Sequence, residues 1–463
     1  MNSYLGKSCT VFFLIATFLL DPLFVEAQDS LRTFQKMDGY KGIWFELGQK
    51  TAYGDKYSGG LGTYTAKHSP LAIYSKEKHR TYFVYGGTSS AEERHLLCMI
   101  SYYDHKKKQL AQPVVVMDKK GVNDPHDNPS LLIDLQGYIW VFVSGRGRGR
   151  PGFKFKSEKP WEIDSFVEIS KKEMTYPQPW FVAEQGYFHF FTKYTGLREL
   201  YFESSTDGIN WTDDQPLAAI KRPEDERSGH YQVSGSYGGK VATFFNWHPN
   251  GDVDKRTNLY YLESHDFGKT WQTADGQKIE VPVTDPKDMS LVDEYHSWAQ
   301  NVYMKDMNFD KKGNPVALFL VSNGHQPGPD NGIRVWKTAR WNGQRWLINE
   351  VCHSDHNYDM GSLFITRNKW QVIAPTAAGA QAWGTGGDVE LWQSTDEGKS
   401  WKKKKSITSQ GDYNHAYVRR PLHAHKHFYA FWADGHANEF SPSRLFYMTK
   451  RGKYTMMPYE GMK

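Results

Sequence analysis

Ser264-His265-Asp266-Phe267-Gly268-Lys269-Thr270-Trp271 decides the fold, because the chain writes this stretch more than once. It returns as Ser394-Thr395-Asp396-Glu397-Gly398-Lys399-Ser400-Trp401, and one residue shorter as Ser205-Thr206-Asp207-Gly208-Ile209-Asn210-Trp211. These residue types describe a hairpin turn. Ser and Asp side chains bond to turn backbone, Gly takes an unusual dihedral, and Trp packs over neighbouring strands. Trp161 and Trp346 fall where degenerate copies are expected.

Outward from these turns a longer period emerges. A polar aromatic residue precedes a short apolar strand at His68, His126, Tyr176, His230, His296, His356 and His415, at intervals of 50 to 66 residues. Helical signals are scarce, and apolar residues come in short alternating runs bounded by Gly, Asn, Asp and Pro. A repeat of this length made of short strands predicts an all-β fold, a seven-bladed β-propeller of four-stranded antiparallel blades. Blades are expected near 60–115, 120–165, 170–215, 225–275, 290–350, 352–405 and 412–455. Gly39–Gly48 (GYKGIWFELG) is expected to add a strand to the last blade, since an open ring leaves unpaired edges. The seven strand-opening residues should then converge on one axial funnel.

Residues 1–27 read as a removable export signal, with Lys7, the apolar run Val11–Leu20 and a small-residue site ending at Ala27. A run of ten residues is too short to span a bilayer. Residues 28–463 are expected to form one propeller domain, a monomer that is periplasmic or secreted. Without Lys7, Asp21 and Glu26 the balance is 56 basic against 50 acidic residues, a net of +6. That mild surplus permits an acidic polysaccharide or oligosaccharide as partner. No basic tract interleaved with aromatics points to nucleic acid, and no later apolar run has spanning length. Cys98 and Cys352 read as two unpaired buried thiols. His423-Ala424-His425-Lys426-His427 reads as a surface strand, and no metal or other cofactor is assigned.

The second to fourth repeats carry the chemistry. They open at Asp124-Pro125-His126, Tyr176 and His230, and their inner strands lead to Arg146, to Lys193-Tyr194 with Arg198, and to His248. Cations, imidazoles and phenols dominate, with few carboxylates. Removing the C5 proton of a uronic acid needs a base, a group that neutralises the carboxylate, and an acid for the departing O4. Arg supplies charge stabilisation, and Tyr or His moves protons. Hydrolysis usually needs two carboxylates flanking the bond, and none of the strand-opening residues is acidic. A sugar-binding propeller without catalysis would repeat one residue set in every blade, whereas these blades differ in kind.

GYKGIWFELGQ (39–49), DPHDNPS (124–130), FTKYTGLRELYFESS (191–205), GHYQVSG (229–235) and HNYDMGSL (356–363) resemble the seven-bladed propeller polysaccharide lyases, including ulvan lyases. They are similar too to the propeller α-L-rhamnosidases and oligosaccharide dehydratases, and the turns resemble the Asp-box, or bacterial neuraminidase repeat. The resemblance covers nearly the whole of 28–463. It implies β-elimination with His126, Tyr194 and Arg198 as catalytic residues, Tyr176 competing for the tyrosine role. Arg146, Tyr176, Lys193, His230 and His248 are the expected substrate-binding set. The expected product is a 4,5-unsaturated uronate, cut from a rhamnose-containing acidic glycan such as ulvan or formed by loss of water from a terminal uronate. Ulvan lyases tend to carry a second His where this chain has Arg146, which cannot serve as a base. The rhamnosidases place a His where Gln49 stands, which counts against a rhamnosidase.

Overall fold

The computed structural model describes residues 34–366 and 369–462, so the export signal expected at 1–27 lies outside the described residues. Among the described residues there is no α-helix, only short 3-10 turns between strands. The strands run as consecutive antiparallel meanders, as a β-propeller requires. The first meander is Ala72–Ser75, Arg80–Gly87, Leu97–Asp104 and Val114–Asp118. The second is Pro129–Ile133, Ile139–Val143, Gly152–Ser157 and Phe166–Lys172. The third is Thr175–Val182, Gly186–Lys193, Glu199–Ser205 and Gln215–Ala218. Gln232–Tyr237, Lys240–Trp247, Thr257–Ser264 and Trp271–Gln272 follow. Next come Asn301–Phe309, Pro315–Ser322, Arg334–Trp341 and Trp346–Ser354. Then Ser362–Thr366, Lys369–Ala377, Asp388–Ser394 and Lys402–Ser406. The last meander is Asn414–Arg419, Ala430–Gly435, Ser443–Met448 and Tyr454–Met456.

From the first meander to the sixth, the first strand packs against the first strand of the next, so these strands crowd a common centre. The repeated turns join third to fourth strands, away from that centre. In Ser264–Trp271, Gly268 N donates to Ser264 Oγ at 2.8 Å and Thr270 N to Asp266 Oδ1 at 2.8 Å, with Gly268 at φ +87°. Buried Trp271 lies 5.1 Å from Phe202 and 6.0 Å from Phe190 of the preceding meander. The turn therefore works as a clamp between neighbouring sheets. Trp271→Ala should cost about 3–5 kcal/mol of stability, as large-to-small changes at buried aromatics do. The urea midpoint checks it, and an unchanged midpoint would show that Trp271 does not clamp the two sheets.

The seam between the last and first meanders is closed from the N-terminal side. Lys41 and Gly42 pair with Arg444 and Ser443, and Gly42 pairs also with Gly87. A Cβ on Gly42 would meet Ser443 Oγ at 2.5 Å, so a larger residue there would have to displace the Ser443 hydroxyl. The rest of Gly39–Gly48 does not extend the last meander as expected. Trp44–Glu46 turns aside to pair with Ser58–Gly60, which sends Tyr57, Tyr64 and Lys67 over the centre of the molecule.

Candidate active site

His126 begins the construction. Asp124 caps the short turn Pro125–Asp127 by accepting from His126 N, and the same carboxylate meets His126 Nδ1. His126 Nε2 faces Tyr64 Oη at 2.9 Å and Tyr57 Oη at 3.1 Å. The ring is buried, and both nitrogens are engaged. Burial pulls its pKa below the ordinary value against the pull of Asp124. Burial opposes the Asp124 charge too, but His126, Arg146 and Arg150 outweigh it and hold the carboxylate well below its usual range. Arg146 reaches Asp124 at 3.2 Å and Arg150 at 2.7 Å, while Asp127 pairs with Lys119 and Arg150. Both carboxylates of this turn are thus neutralised by protein cations.

The remaining expected residues divide into two groups. Tyr176 sits 6.0 Å from His126 and 5.5 Å from Tyr231, ring centre to ring centre. Its left-handed backbone, φ +56°, lies at a register shift between Thr175 and Gln178. Tyr194 lies over Gly147, beside half-buried Arg146, and its backbone N donates to Glu173 at 2.8 Å. Arg198 donates to Gly251 O at 2.6 Å and stands 6.0 Å from the Tyr231 ring. His248, fully buried, packs edge-on to Tyr231 at 4.8 Å with no hydrogen bond at either ring nitrogen among the described residues. These residues share one cluster. Lys193 and His230 face elsewhere. Lys193 pairs with Asp214 at 2.8 Å. His230 Nδ1 meets Asn246 O at 2.8 Å, and its Nε2 accepts from Ile220 N at 3.0 Å. Both nitrogens of His230 serve the backbone.

Among the other strand-opening residues, His68 and His356 are buried near the centre, His415 accepts from Trp432 Nε1, and His296 is exposed against Trp247. Cys98 and Cys352 are free and buried, as expected. His423–His427 lies in a turn between Asn414–Arg419 and Ala430–Gly435, not on the strand expected for it.

The sequence did not single out Tyr231, nor Lys67 and Arg256 beside it. Tyr231 is half-buried, with Lys67 Nζ 4.4 Å and the Arg256 guanidinium 5.1 Å from its ring centre. Burial would raise its pKa. Arg198, Arg256, a hydrogen bond with Tyr176 and Arg146 together drive it below the ordinary tyrosine value. Tyr176 and Tyr194 go the other way, raised by burial and by Tyr231 itself. Buried Arg256 is held by Tyr358 Oη at 3.0 Å and Val253 O at 2.7 Å, against the ring of Tyr303 at 4.3 Å. Burial pulls Lys67 well below its usual value, and Lys305 down to about 7. A phenol between guanidinium groups and beside two further phenols is an arrangement that can move protons next to a negatively charged group. No metal-ligand set occurs within this cluster among the described residues.

Known proteins share this architecture. An ulvan lyase of Nonlabens ulvanivorans is 22% identical over 357 residues, 66% of this chain and 71% of that protein. An ulvan lyase of Alteromonas sp. (strain LOR) is 21% identical over 359 residues, covering 66% and 70%. A solved structure of an ulvan lyase of polysaccharide lyase family PL25 superposes with a TM-score of 0.70 at 16% identity, over 91% of this chain and 96% of that one. The same figures hold for a PL25 ulvan lyase bound to -[GlcA(1-4)Rha3S]-. At that identity the superposition speaks for the fold. Residues 93–353, more than half of the sequence, match the model of the BNR repeat-containing family, and the chain belongs to that family.

Proposed function

We propose that this protein is a carbon–oxygen lyase that cleaves a uronate-containing acidic polysaccharide of the ulvan type by β-elimination. The observation that carries the reading is the Tyr231 ring set 6.0 Å from the Arg198 and 5.1 Å from the Arg256 guanidinium, charges that favour its ionised form. The named ulvan lyases among its relatives supply the substrate class. The Tyr231 phenolate takes the C5 proton of the uronate. The electron pair of the C5–H bond becomes the C4–C5 double bond as the C4–O4 bond breaks. Tyr194, which burial keeps protonated, gives its proton to the departing O4. Arg198 and Arg146 neutralise the carboxylate, on which charge builds as C5 is deprotonated. His126 positions Tyr57 and Tyr64 through its Nε2 and takes no proton from the substrate. Asp124 and Asp127 are consumed in ion pairs, which disfavours a hydrolytic pair of carboxylates. In this reading residues 28–463 form one seven-bladed ring, exported as a monomer.

The same base and carboxylate clamp would eliminate water from a terminal uronate, so product mass decides between the two leaving groups. Incubation with ulvan and with short rhamnose–glucuronate oligomers should raise the ultraviolet absorbance of a 4,5-unsaturated uronate while chain length falls. Rising absorbance with loss of one water and no shortening would reassign the enzyme as a dehydratase. Shortening without unsaturation would make it a hydrolase and overturn the mechanism.

A further inference from the structure

His105 meets His425 and His427, some three hundred residues later in the sequence, at the other end of the sheets. Strand register puts Ser75, Arg80 and Asp104 side by side, so His105 lies at the end opposite the strand-opening residues. The turn 420–428 of the last meander reaches over to it. Leu422 N donates to Ala72 O at 2.8 Å, Tyr74 N donates to Leu422 O at 3.0 Å, and Phe428 packs 5.3 Å from Phe83. This brings His425 to 3.8 Å and His427 to 6.4 Å from the His105 ring centre, with 5.1 Å between His425 and His427. One ring nitrogen from each lies within 4.8 Å of the other two.

We propose that His105, His425 and His427 bind one divalent transition-metal ion of the zinc class across the seam between the last and first meanders. His105 Nε2 is satisfied by Thr81 Oγ1 at 2.8 Å, which fixes the ring, and its buried Nδ1 has no hydrogen-bond partner among the described residues. A buried imidazole nitrogen with nothing to bond is costly in a folded protein unless a ligand takes it. The Thr81 contact is the kind of outer partner that orients a metal-bound histidine. Three imidazoles select borderline ions such as Zn2+ over Ca2+ or Mg2+, and leave a fourth tetrahedral position for water. Zn–N bonds of about 2.0–2.1 Å draw the rings together by side-chain rotation. The ion ties a turn of the last meander to a strand of the first, on the opposite side from the candidate active site. Its role is to hold the ring shut.

Chelator-treated full-length protein should take up one equivalent of Zn2+ in a competition titration with a chromophoric chelator, and its melting temperature should rise. Co2+ in place of Zn2+ should give the visible absorption of a low-coordinate, nitrogen-ligated ion. His427→Gln and His425→Gln alter side chains that are partly exposed and should leave the apo protein folded. Each should weaken Zn2+ binding at least tenfold and abolish both the melting shift and the Co2+ spectrum. Stoichiometric uptake that survives both substitutions would place the ion elsewhere and overturn the assignment. Absence of uptake by the unaltered protein would overturn it too.

Discussion

Tyr231→Phe should lower kcat by about 10²–10⁴-fold, the range expected for loss of a general acid–base group, with the melting temperature nearly unchanged. The substitution removes one hydroxyl and leaves the ring between Lys67, Arg256 and His248. In the proposed mechanism the Tyr231 phenolate is the active form. The rate should therefore climb with pH and level off above the Tyr231 pKa, which lies below the ordinary tyrosine value of about 10. Tyr194→Phe tests the partner role: it should slow the reaction most for poor leaving groups, since the acid serves the departing O4. If Tyr231→Phe turned over at the normal rate while His126→Ala did not, the base would move to His126. The Tyr57 and Tyr64 hydroxyls would then have to withdraw on substrate binding.

Arg198→Gln should lower kcat/KM by about 10²–10³-fold, comparable to deleting one preorganised donor to a developing oxyanion. Two effects add. The uronate carboxylate loses a partner both when it binds and when charge builds in the transition state, so KM rises as kcat falls. Tyr231 also loses the first of the cations that lower its pKa, so the rising limb of the pH profile should move to higher pH. That displacement separates a role in tuning the base from simple loss of affinity. A fall in kcat/KM with an unmoved limb would leave Arg198 as a binding residue and assign the tuning to Arg256.

Sequence alone determined the sheet architecture. Ser264–Trp271 and its copies specify their own turns through local bonds, Ser264 Oγ to the Gly268 amide and Asp266 to the Thr270 amide, and local bonds need no distant partner. The spacing of His68, His126, Tyr176 and their analogues marked the inner strands for the same reason. His126, Tyr176, Arg146, Tyr194 and Arg198 were also legible, since the residues near a strand's start or exit gather wherever inner strands gather.

Facing was not legible. His230 and Tyr231 are adjacent at the entry to the strand Gln232–Tyr237, and their side chains diverge, so a shift of one residue decides which side chain enters the centre. Here His230 is captured by Asn246 and Ile220, and Tyr231 is the one that meets the cations. Convergence was hidden as well. Lys67, Arg198 and Arg256 belong to three separate segments, and the pKa of Tyr231 is set by all of their surroundings at once. His105 meets His425 and His427 only because the ring closes and brings the two ends of the chain together. A ring fixes its turns locally, but which charges share its centre and its seam depends on closure, a property of the whole chain.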